Sequence, residues 1–191
     1  MVASSFSLLH ADLPVCIGYQ AAGRRVETRH CLLPARADSV SAARRFVRDV
    51  SEDWTPRPRR LETLLENLGV VVSELVTNAL VHAYGAIPAA APAADRFGDP
   101  GPLSLCLIHE PCDAPDGVER VVFAVADPSS KAPVAATAQQ AAGGLWGLCE
   151  SGRGMTLVEA LADDWGWRRV RVPGGAEPAG KVVWALFELA C

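Results

Sequence analysis

Glu74, Asn78 and His82 stand four residues apart in the stretch LETLLENLGVVVSELVTNALVHAY, Leu61 to Tyr84. On a helix, each step of four residues turns the side chain only about 40° past a full revolution, so the three polar groups project in nearly one direction. Around them Leu68, Val71, Val72, Leu75, Val76, Ala79, Leu80 and Val81 make most of the circumference apolar, the pattern of a helix enclosed by its own protein. A buried carboxylate and amide can be satisfied by local backbone groups. They can also do chemistry. An asparagine oxygen suits a hard cation, and a glutamate one turn earlier can hold or deprotonate a water or hydroxyl, a pairing fit for metal-assisted phosphate chemistry.

A second feature that could bind phosphate is the run SGRGM, with Gly152, Arg153 and Gly154 preceding the apolar positions Met155, Leu157, Val158 and Leu161. A glycine turn feeding a helix leaves outward N–H groups with no side chain in the way. A purely structural turn has the same signature. Asp127 ends the apolar run Val121–Ala126 and precedes Pro128, which is either a turn start or a carboxylate set at a strand end. Neither a P-loop, a GxGxxG nor a kinase-type HRD or DFG set occurs, so the common nucleotide folds are not indicated.

The elements that must position these groups follow from periodicity. His30–Leu33 reads as an edge strand ending at Pro34. A helix capped by Asp38 or Ser39 carries the stripe Val40, Ala43, Phe46, Val47 and Val50, with Arg44, Arg45, Arg48 and Asp49 on the wet side. Trp54–Pro58 breaks it, and the long helix follows, ending near Gly85. Residues 86–102 form a surface loop, 103–109 and 121–126 are strands joined by a hairpin-like connection, and 128–152 is a lid-like segment. After the glycine-led helix come strands 165–172 and 181–189, joined by a turn rich in Pro and Gly. Strands joined by tight turns imply a mixed, mainly antiparallel sheet with three helices on one face, a two-layer α/β (α+β) sandwich.

The 191 residues suit one domain, read as residues 29–191 behind a weakly ordered extension over 1–28. The six cysteines form no CxxC pair, so reduced thiols are expected and no zinc site is indicated. A net charge of −4 without a basic run points away from nucleic acid. No uninterrupted apolar run of membrane-spanning length and no leader-like start occur, so the expected location is cytoplasmic, away from any membrane.

At this point the chain resembles a known family. ELVTNALVHA from Glu74 resembles the N box of the GHKL ATPases, Asp127 stands where their G1 box begins, and GRGM from Gly152 is similar to their G2 box. The likeness spans roughly Leu32 to Leu189, and the bacterial anti-sigma-factor serine kinases of actinobacterial type are the closer match. The resemblance implies the Bergerat fold, with ATP and Mg²⁺ as cofactors. It also implies transfer of the γ-phosphate to a serine or threonine of an anti-anti-sigma (STAS-type) partner, with a sigma factor as a second partner and homodimerisation open. Carried over by residue, Glu74 is the catalytic base, Asn78 holds Mg²⁺, and Asp127 accepts the adenine amino group. Gly152, Arg153, Gly154 and Met155 line the phosphates. The alternative is a non-catalytic module of the same fold that senses nucleotide or sequesters a partner. One departure favours it: the family's Asp-x-Gly-x-Gly is here Asp127-Pro128-Ser129-Ser130-Lys131, with both glycines gone.

Overall fold

The computed structural model describes residues 25–54, 60–85, 102–112, 117–133, 153–171 and 178–190. Eight elements follow in order: β1 (Glu27–Leu33), α1 (Ser39–Glu52), α2 (Leu61–Ala83), β2 (Leu103–Glu110), β3 (Val118–Asp127), α3 (Arg153–Leu161), β4 (Asp164–Arg171) and β5 (Pro178–Ala190). The strands form one five-stranded sheet in the order β1-β2-β3-β5-β4, and every neighbouring pair is antiparallel. The expected α+β sandwich is thus the observed one. β1 is an edge strand as expected, but it starts at Glu27, three residues ahead of the apolar run, because its polar residues Thr28 and Arg29 still pair with Ile108 and Leu107.

Period-2 alternation sorts the sheet into two faces. Leu103, Leu105 and Leu107 of β2, Val121, Phe123 and Val125 of β3, and Val183, Ala185 and Phe187 of β5 belong to a cluster shared with the helices. α2 contributes nine buried residues to it, from Leu61 to Leu80. At about 1.5–3 kcal/mol for each large apolar side chain fully removed from water, this helix contributes more burial than either of the others. It has the length and mean hydropathy of a membrane span, yet nine of its residues are buried in the core, while Val70 and Val81 stay exposed. The helix stops at Tyr84, and Gly85 follows with φ 62°, the left-handed exit that glycine takes without strain. α1 lays Ala43 and Val47 on the same core, its five charged residues stay exposed, and Arg44 reaches α2 by donating to Ser73 Oγ at 2.9 Å.

The opposite sheet face carries a second apolar cluster, including Ile108, Val122, Ala124 and Val182. On the helix face, at the end of the sheet remote from Asp127, His109 Nε2 lies 2.6 Å from Glu119 Oε1, and Trp54 stacks on the imidazole with ring centroids 4.2 Å apart. One expectation needs correction: Cys112 is disulfide-bonded, while Cys31 and Cys106 are free thiols. The partner of Cys112 lies outside the described residues, and a lack of CxxC spacing says nothing about pairs that the fold brings together.

Candidate active site

Glu74 is half-buried on α2, one turn ahead of the half-buried Asn78 and two turns ahead of the exposed His82. What gives Glu74 its place is α3. Its amino-terminal turn approaches α2 so closely that a Cβ built on Gly154 would lie 2.5 Å from Glu74 Oε2 and 3.6 Å from Glu74 Cβ. With glycine the carboxylate keeps this place, and a larger residue would push its end aside. The carboxylate therefore sits against the helix end where first-turn N–H groups have no intrahelical acceptor, and where the helix dipole favours negative charge. Met155, the next residue, is 2 % exposed and anchors this end in the core. Arg153 opens the helix. Gly152, and the lid from residue 134 onward, lie outside the described residues.

Gly154→Ala tests this contact. The added methyl displaces the movable end of the Glu74 side chain, so the cost should stay at or below the low end of the roughly 1–3 kcal/mol seen for overpacking in a rigid core. Chemical denaturation is expected to show that loss. Combining it with Glu74→Ala should recover most of it, because the two side chains compete for one space.

Asp127 ends β3 opposite Lys181 of β5. Its carboxylate is 1 % exposed, and Lys181 Nζ lies 2.9 Å from Oδ1 and 2.8 Å from Oδ2. Ser129 N–H donates to Oδ1 at 2.8 Å. Burial pushes the Asp127 carboxyl above its ordinary value, and the Lys181 ammonium, the Ser129 N–H and, least of all, His82 pull against that shift. Along α2, Glu74 meets α3 eight residues before His82, about 12 Å along the axis.

The segment after Asp127 has no glycine, and side chains do the turning. Asp127 accepts from Ser129 N–H, Ser129 Oγ accepts from Lys131 N–H at 3.3 Å, and Arg169 of β4 donates to Ser130 O at 3.2 Å. Such Asx and serine turns stabilise a tight reversal without positive φ.

The family model of the histidine kinase-like ATPase domain matches residues 33–186. The chain belongs to that family. No curated protein matches it. A histidine kinase-like ATPase domain implies ATP binding, ordinarily with Mg²⁺, and the site can be checked for fit. The phosphate end fits: Gly154 leaves a bare backbone turn at a helix amino end beside a carboxylate. Among the described residues no group of three or more His, Cys, Asp or Glu could hold a metal ion, so a cation near Asn78 would take most of its oxygens from phosphate and water, as Mg²⁺ commonly does. A purine amine at Asp127 would have to share a carboxylate that Lys181 already holds. Lys181 is the residue that sequence reasoning missed.

Proposed function

We propose that this histidine kinase-like ATPase domain is a protein-serine/threonine kinase of the anti-sigma-factor type, acting in the cytoplasm on an anti-anti-sigma (STAS-type) partner and through it on a sigma factor. The observation that carries the reading is the contact of Glu74 with Gly154. A module that only binds has no use for a carboxylate held at the phosphate end of its site, whereas a kinase needs a base there. When bound, ATP would supply the γ-phosphoryl group to the partner's hydroxyl and leave as ADP. Glu74 accepts the proton of the partner's serine or threonine hydroxyl. Asn78 offers its amide oxygen to Mg²⁺, the α3 amino end with Gly152, Arg153, Gly154 and Met155 cradles phosphate, and Asp127 accepts from the purine's exocyclic amine. Glu74 needs the cation beside it, since carboxylate and triphosphate repel without it.

Asn78→Ala is expected to leave ATP binding the same with and without Mg²⁺, since the one protein oxygen assigned to the cation is gone. Calorimetric titrations in the two buffers check this. A Mg²⁺ enhancement equal to the parent's would remove Asn78 as ligand.

The second reading, a nucleotide-sensing or partner-sequestering module, is favoured by the Lys181–Asp127 pair and the glycine-free segment after Asp127. Incubation with γ-labelled ATP and anti-anti-sigma proteins of the same organism separates the two. Label on a partner serine or threonine supports the kinase; firm ATP binding with no transfer to any of them favours the module.

A further inference from the structure

Lys181 and Asp127 are direct partners across β3 and β5, with side chains 3 % and 1 % exposed. A carboxylate has about four acceptor positions. Lys181 Nζ stands within hydrogen-bond distance of both oxygens, and Ser129 N–H takes a further position on Oδ1. Among the described residues, what remains is a single position on Oδ2.

We propose that Lys181 is an internal occupant of the base pocket: its ammonium takes on Asp127 the place of the purine's exocyclic amine, so that ATP binds only when the Lys181 side chain withdraws. This rests on the reading of Asp127 as base acceptor. Of the two donors, Ser129 N–H is backbone held in a turn, whereas Lys181 ends in a compact charge on a flexible four-carbon stem. Lys181 is therefore the donor that can leave. Its departure exchanges a buried charge pair for a bond from a neutral amine, so the lysine lowers nucleotide affinity and sets the concentration at which the site fills. The difference between a charge-paired donor and a neutral one corresponds to about ten- to a hundredfold in affinity.

The test titrates the full chain with ATP and Mg²⁺ in a calorimeter, using the parent, Lys181→Ala, Lys181→Gln and the Asp127→Ala/Lys181→Ala double variant. Lys181→Ala is expected to bind ATP about ten- to a hundredfold more tightly than the parent, and the double variant to lose that gain. Lys181→Gln keeps the stem and a polar end, serves if the alanine variant does not fold, and is expected to gain in the same direction. A folded Lys181 variant that binds ATP no more tightly than the parent overturns the occupant role, and if Asp127→Ala then still weakens it, the base-acceptor reading stands. A gain that survives in the double variant overturns the base-acceptor reading and the proposal with it.

Discussion

Phosphotransfer by the Glu74→Gln protein is expected to fall by about 10²- to 10⁴-fold, the usual contribution of a positioned general base. ATP affinity should move far less. Glutamine keeps the shape of the side chain and its packing against Gly154, and its amide can stand where Oε2 stands, but it cannot take a proton at neutral pH. The effect thus belongs in the rate of transfer with ground-state binding nearly intact. Single-turnover transfer at saturating ATP, beside an ATP titration of the same preparation, reads the two quantities separately. Equal rates for parent and variant would remove Glu74 as base. A parallel loss of binding and rate would make its role structural.

Asp127→Ala is expected to cost about 3–5 kcal/mol of folding stability, because it leaves the ammonium of Lys181 buried without its counter-ion. The packing lost with one carboxylate is small beside that. Lys181 is 2 % exposed and its neighbours on the same face of β5 are Val183, Ala185 and Phe187, so while its side chain stays in place that strand face offers the charge no partner. Urea unfolding of the parent, Asp127→Ala, Lys181→Met and the double variant forms a cycle. The double variant should be more stable than the sum of the single losses predicts, since removing both charges leaves nothing unpaired. Additive losses would mean that the pair contributes no coupling.

The fold was legible because its strongest signals are local. The apolar circumference between Leu61 and Leu80 and the glycine at 85 mark α2 almost to the residue. The buried strands β2, β3 and β5 stand out by composition. β1 began earlier than its apolar run because an edge strand tolerates polar residues such as Thr28 and Arg29. The site was legible in part. Glu74 and Asn78 declare themselves by being polar on an apolar helix, but the contact of Glu74 with Gly154 depends on how two helices eighty residues apart in sequence pack, and no local period reports that. Lys181 did leave a signal. Strand parity puts it on the face of Val183 and Ala185, where a lysine requires a buried anion, and Asp127 is a strand-end carboxylate in the adjoining strand. After Asp127, where the family pattern has two glycines, Asp127 and Ser129 instead accept from the backbone N–H groups of Ser129 and Lys131, bonds that residue types alone suggest but do not place.

The most direct test of an ATP site running from Asp127 to the amino end of α3 is calorimetric titration of the full chain with ATP, with and without Mg²⁺, on the parent and on Lys181→Ala. The account predicts saturable one-to-one binding, tightened by Mg²⁺ through Asn78 and stronger in the variant. Absence of saturable ATP binding to both proteins, with each shown to be folded, would contradict it.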